Sequence, residues 1–159
     1  KRKKELTGRS WPNGCHVAEV EIDTETGEVR LDRYFSVDDV GNTVNPMIVH
    51  GQVQGGIASG LGQAILERTE YDASGQLLSG SYMDYALPRA DDMPSLSGSL
   101  FEKAPCLTNP LGAKGTGEIG AVAGPPAIVH AVIDALAEKG ITQVDMPLQP
   151  QKIWECLNR

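Results

Sequence analysis

Between Gly112 and Gly120 the chain reads Gly-Ala-Lys-Gly-Thr-Gly-Glu-Ile-Gly, a run too poor in side chains to build a core or a paired strand. Such a segment must be a loop. Its backbone can be approached closely, because glycines remove the Cβ atoms that would hold a bulky ligand away and leave N–H groups free to point at anionic oxygens. Glu118 is the one side chain in the run able to accept a proton, which makes it a general-base candidate. From the residues alone, a flexible surface turn carrying a solvated glutamate is the commoner outcome for such a run.

Two nucleotide readings of the same run fail on context. Gly115, Gly117 and Gly120 satisfy G-x-G-x-x-G, with Glu138 about twenty residues on. A dinucleotide fingerprint, however, follows a buried strand, and the preceding Pro105-Cys106-Leu107-Thr108-Asn109-Pro110 carries two prolines. A phosphate-binding P-loop needs Gly-Lys-Ser/Thr, whereas Lys114 precedes its glycine.

Composition narrows the class further. The 159 residues, 40% apolar, suffice for one domain with a real core, and no internal boundary or repeat divides them. The apolar stretches are broken by Gly, Gln or charge well short of eighteen residues, so no membrane span is expected. Lys1-Arg2-Lys3-Lys4 is too short for an address, and residues 1–10 read as a poorly ordered start. A net charge of -7 argues against a nucleic-acid partner. Cys15, Cys106 and Cys156 lack C-x-x-C spacing, so no zinc site, disulfide framework or iron-sulfur cluster is expected among these residues, and a reducing cytoplasm suits them.

Alternation of Ala18, Val20 and Ile22 against Glu19, Glu21 and Asp23 predicts a half-buried strand, and Thr24-Glu25-Thr26-Gly27 a turn. Val29, Leu31, Phe35 and Val37 are read as the inward residues of the returning strand, with Arg33 the exception. Asn45-Pro46 looks like an N-cap followed by proline at the first helical position, opening a helix to about Glu67. Gly51, Gly55 and Ser59 recur every four residues within it, as do Gly56 and Gly60. Each interior glycine costs about 0.8 to 1 kcal/mol relative to alanine, so close contact with a neighbouring backbone or with a ligand is expected.

A second extended pair is predicted over 68–72 and 77–85, turning at Asp72-Ala73-Ser74-Gly75, with a further strand over 96–102. Pro125-Pro126 are expected to start a helix with the stripe Ile128, Val132, Leu136 and a stop at Gly140. His130 and Asp134 stand four apart on it, but with no further ligand in sight a solvated polar face is the better reading. Asp38 and Asp39 read as charges at a loop edge. His16 and His50 are isolated and receive no role. Gly56-Ile57-Ala58-Ser59-Gly60 lacks the spacing of a nucleophile elbow.

From about Trp11 onward the motifs fall into a known order. Trp11-Pro12-Asn13-Gly14, the Asp23 to Val29 hairpin turn, Asp38-Asp39-Val40-Gly41 and Asn45-Pro46 come first. Gly51-Gln52-Val53-Gln54-Gly55-Gly56, Asp84-Tyr85-Ala86-Leu87-Pro88, Lys114 to Glu118 and Met146-Pro147-Leu148 complete the series. In this register the chain resembles the carboxyl-terminal part of the molybdopterin-binding large subunit of the molybdenum hydroxylases. That family includes xanthine dehydrogenase, aldehyde oxidase and the aerobic carbon monoxide dehydrogenases. The stretch Ile119 to Pro126 resembles the carbon monoxide dehydrogenase-like branch.

The resemblance implies an α+β fold, with β-hairpins and short strands packed with two longer helices, forming residues 1–159 as one domain or fragment of a larger molybdopterin-binding domain. It implies Glu118 as the general base, with the oxygen entering the product derived from water. Lys114, Gly115, Thr116 and Gly117 would lie along a molybdopterin carrying molybdenum, expected in its cytosine dinucleotide form, and Gln52 would contact the pterin. No metal ligand is implied among these residues. Iron-sulfur clusters and FAD are expected only on partner chains or domains, and the substrate would be an aldehyde, an N-heterocycle or a related small molecule. The partners implied are the remainder of the large subunit and the iron-sulfur and flavin components, so these residues alone are not expected to act as an enzyme. The competing expectation is a non-catalytic remnant or assembly module that keeps the fold.

Overall fold

A computed structural model describes residues 8–159; the poorly ordered start expected over 1–10 lies, for 1–7, outside the described residues. Strand β1 (Asn13–Ile22) returns antiparallel as β2 (Val29–Asp39), and β3 (Ser95–Leu100) pairs parallel to β2, giving the order β1-β2-β3. The hairpin turn forms where expected: Asp23 Oδ1 accepts the Glu25 amide at 2.8 Å, and Gly27 takes a left-handed φ of 78°. The architecture is α+β.

The inward face of β2 differs from the expected one. Its pairing with β1 slips at Glu19/Val20, where Arg33 faces Glu19 but Leu31 faces Val20, so Asp32 is an extra residue. A bulge of this kind flips every following side chain to the other face of the sheet. Val29 and Leu31 point inward as expected, but beyond the bulge it is Tyr34, Ser36 and Asp38 that are buried, while Phe35 and Val37 are exposed. The reading of Arg33 as a lone exception is corrected: it marks the shift.

Helix α1 (Pro46–Leu61) starts at Asn45, whose side chain accepts the Ile48 amide at 3.2 Å, and continues as a π-helical turn over Gly62–Leu66. Helix α2 (Ile119–Leu136) begins well before the two prolines expected to start it, and holds both Pro125 and Pro126 inside. An interior proline costs about 3 kcal/mol or more. Helix crossing supplies the offset. A Cβ at Gly56 would stand 2.8 Å from Gly120 Cα, and one at Gly60 3.0 Å from Gly124 Cα, so α1 and α2 touch backbone to backbone over the turn that precedes the prolines.

Ile128, Val132 and Leu136 carry α2 into the core beside Leu31, Tyr34, Val53, Ile57 and Leu61. The segment Ile119–Lys139 is long and apolar enough to cross a membrane by length and composition, but Ile128 and Val132 are 0% exposed within this packing. The expected stop is present, with Gly140 at φ 74°. Helix α3 (Pro150–Leu157) closes the bottom of the core through Ile153, next to the buried Leu148, whose amide donates to Ala64 O at 2.7 Å.

The second extended pair does not form a ladder. Tyr71 and Leu77 make an isolated bridge around the expected turn, where Asp72 Oδ1 accepts the amides of Ser74 and Gln76. Ser79 Oγ likewise takes the Glu70 amide. Side chains here satisfy the backbone locally and compete with strand pairing.

Candidate functional site

Two structures frame the glycine-rich loop. On one side Lys114 is tied to the end of β2: its amide donates to Val40 O at 2.8 Å, and its Nζ donates to Asp39 Oδ2 at 2.5 Å. On the other side Glu118 is the N-cap of α2, whose first turn is pinned against α1 by Gly120. Gly115, Thr116 and Gly117 span the gap.

Glu118 is exposed, and its carboxylate does not fold back to cap the helix amides. It therefore stands exposed at the α2 N-terminus, and its carboxylate oxygens have no hydrogen-bond or ion-pair partner among the described residues. Gln52, also exposed, projects from α1 toward the same loop, since a Cβ on Gly117 would lie 3.9 Å from Gln52 Nε2. The fold thus brings Gln52, Gly117 and Glu118 together across sixty-odd residues of chain, and Lys114 to Thr116 adjoin them.

The sequence left open whether the α1 glycines serve packing or ligand approach, and the two stripes divide the work. Gly56 and Gly60 meet α2. A Cβ at Gly51, Gly55 or Gly115 would meet nothing within 4 Å, so the chain's own packing does not require glycine there. Side-chain-free backbone on α1 and on the loop, flanking an uncommitted amide and a carboxylate, fits a broad, anionic, pterin-type group. The side chain of Lys114 faces inward, so that residue would offer such a group its backbone.

Asp38 and Asp39 are not loop-edge charges. Past the bulge they face opposite ways and both are buried. Asp38 Oδ1 lies 2.8 Å from His16 Nε2, and His16 Nδ1 lies 2.9 Å from the Tyr34 hydroxyl, a chain whose His16 and Asp38 side chains are 2% and 1% exposed. Burial, with the Asp38 charge adding to it, pushes the Tyr34 phenol far above its ordinary range. For Asp39, burial disfavours the charged form. The hydrogen bonds from Lys114 Nζ and the Gly41 amide, with the Lys114 charge, outweigh burial and hold this carboxyl below its ordinary value. A signal for His16 was present: counting back by two from Ala18 places it on the inward face.

A cavity of about 700 Å³ opens elsewhere, between the start of β2 and the segment before β3, with Leu31, Ile65, Asp92 and Met93 in its walls. None of the candidate residues lines it. His130 and Asp134 are exposed on α2, and no group of three or more His, Cys, Asp or Glu side chains suited to a metal occurs among the described residues.

Residues 1–94 match the molybdopterin cofactor-binding domain family. The chain belongs to that family, within the large subunits of the molybdenum hydroxylases. It is 37% identical to the carbon monoxide dehydrogenase large chain of Hydrogenophaga pseudoflava over 93% of its own length and 18% of that protein's. With the nicotine 6-hydroxylase large subunit of Paenarthrobacter nicotinovorans it shares 38% identity, covering 90% of this chain and 17% of the other. The crystal structure of quinoline 2-oxidoreductase from Pseudomonas putida 86 superposes with a TM-score of 0.89 at 40% identity, over 93% of this chain and 19% of that one. The chain therefore spans less than a fifth of the length of these relatives.

Proposed function

We propose that these residues supply the general base and one glycine-lined wall of a molybdenum hydroxylase site, completed by other parts of a longer subunit. The observation that carries this reading is the juxtaposition of Gln52, Gly117 and the exposed Glu118 beside helix glycines that internal packing does not need. Gly115 and Gly117 let the cofactor approach the backbone, and their N–H groups, with that of Thr116, offer hydrogen bonds to it. The Gln52 amide adds one or two more. When bound, a molybdenum-bearing molybdopterin, in the cytosine dinucleotide form, supplies the two-electron redox chemistry of the reaction. Glu118 holds the proton removed from the water-derived oxygen as that oxygen enters the substrate.

The substrate class is an electron-poor carbon in an aldehyde, an N-heterocycle or a related small molecule, and electrons leave through iron-sulfur and flavin components on partner chains or domains. The three cysteines are free, which suits a reducing cytoplasm. Glu118→Gln in the assembled enzyme tests the base. Molybdenum content stays near normal while turnover falls by at least about 10² to 10⁴, the range for a positioned base. A molybdenum-loaded Gln variant with wild-type turnover would remove the assignment and favour a non-catalytic module that retains the fold.

A further inference from the structure

The loop between Lys114 and Glu118 has a fixed end that the functional reading does not use. Upstream of Gly115 the chain is stitched to the exit of β2. Gly41 and Ala113 form a bridge, the Asn42 amide donates to Gly112 O at 2.9 Å, and Asn42 Nδ2 donates to Leu111 O at 2.9 Å. Asn109 closes the same segment from the other side, with its Nδ2 donating to Ala113 O at 2.9 Å. Lys114 is the last residue of this stitched segment. Beyond it Gly115, Thr116 and Gly117 have no strand partner among the described residues, and a Cβ at Gly115 would meet nothing within 4 Å.

We propose that Asp39 is a positioning residue, whose ion pair with Lys114 latches the glycine loop to β2 and thereby fixes where Gly115 to Glu118 stand. This rests on the assignment of Glu118 as the base. The Lys114 and Asp39 side chains are 10% and 11% exposed, so the pair is shielded enough to act as a rigid tie and not as a surface contact. Asp39 is itself held from behind. Its other carboxylate oxygen accepts the Gly41 amide at 2.9 Å, and its neighbour Asp38 is locked to His16 on the opposite face of the strand. Strain or slack at Lys114 would pass directly along three residues with little else to restrain them. Glycines make that span compliant. Without the latch, Glu118 keeps its helix but loses the fixed approach of the loop before it.

The test uses the full-length large subunit in its assembled enzyme, comparing wild type with Asp39→Asn, the double variant Asp39→Asn/Lys114→Met, and Glu118→Gln. Amide hydrogen exchange and steady-state kinetics per bound molybdenum are the readouts. In Asp39→Asn, amides 115–118 exchange at least about tenfold faster while those of β1 are unchanged, as expected for local release. Turnover falls about ten- to hundredfold with KM within about twofold, the signature of a misplaced group and not of lost substrate binding.

The double variant leaves no unpaired buried charge, so it folds and assembles even if Asp39→Asn alone does not. It shows the same fast loop exchange and low turnover. Wild-type loop exchange in the double variant would overturn the proposal, because the pair would then matter only for burying charge. Unchanged loop exchange in Asp39→Asn overturns it as well. If Glu118→Gln retains turnover, the base assignment fails, and the loop exchange rates still decide whether Asp39 is a latch.

Discussion

Gly56 of α1 lies so close to Gly120 of α2 that a Cβ added at Gly56 would stand 2.8 Å from Gly120 Cα, whereas one at Gly51, on the other stripe of the same helix, would meet nothing. The two glycines are therefore present for different reasons. One permits helix crossing and the other leaves backbone bare toward the outside.

Alanine separates those roles in the isolated chain. Gly56→Ala drives a methyl into backbone that has no rotamer to yield, and lowers stability by about 1 to 3 kcal/mol or more. Gly51→Ala raises it by about 0.8 to 1 kcal/mol, the helix-propensity difference. Equilibrium urea unfolding checks both. Equal effects at the two positions would contradict the division.

Removing His16 exposes the cost of the buried polar chain. His16→Ala leaves the Asp38 carboxylate and the Tyr34 hydroxyl without their hydrogen bonds in the interior, and lowers stability by at least about 2 kcal/mol. A loss under about 0.5 kcal/mol in urea would mean that water or another donor replaces the imidazole.

Much of this was legible in advance and some was not, for identifiable reasons. Period-two alternation found the hairpin, and the Asn45-Pro46 signal and the Ile128, Val132, Leu136 stripe found the helices, because local propensity and burial agree there. The bulge at Asp32 broke the alternation without changing its composition. Phe35 and Val37 therefore looked inward when Tyr34, Ser36 and Asp38 are. The start of α2 was misplaced because Pro125-Pro126 is a start signal in local terms, and only the crossing with Gly56 and Gly60 overrides it. The glycine-rich loop points to Glu118 and the family resemblance alone points to Gln52, but their approach across the loop, and the inward turn of Lys114 toward Asp39, depend on tertiary structure.

Acid sensitivity follows from Asp39. Its folded pKa is depressed below the ordinary 3.8, so its contribution is fully present above that value and is lost as pH falls through the lower folded value. Asp39→Asn removes this component, so the variant's stability changes less than the wild type's below pH about 3.8. Urea midpoints measured from neutral pH into that range check it. Parallel curves for wild type and variant would contradict the depressed pKa.

Gly117 offers a substitution that spares the fold and strikes the wall. A Cβ there meets only the Gln52 side chain, at 3.9 Å, so Gly117→Val is accommodated by the chain itself while obstructing backbone approach from outside. In the assembled enzyme molybdenum occupancy falls and the subunit remains folded by circular dichroism. Gln52→Ala has the milder effect, since it removes one or two hydrogen bonds worth about 0.5 to 1.5 kcal/mol each. Full occupancy in Gly117→Val would count against the loop as a cofactor wall.

Molybdenum analysis of two preparations bears most directly on the claim that this chain forms one wall of a shared site. The expected result is that the purified 159-residue chain alone contains little molybdenum and hydroxylates nothing. Co-expression with the upstream part of a large subunit and with the iron-sulfur and flavin components restores both metal and activity. Stoichiometric molybdenum with turnover in the isolated chain would contradict the account, because the site would then be self-contained.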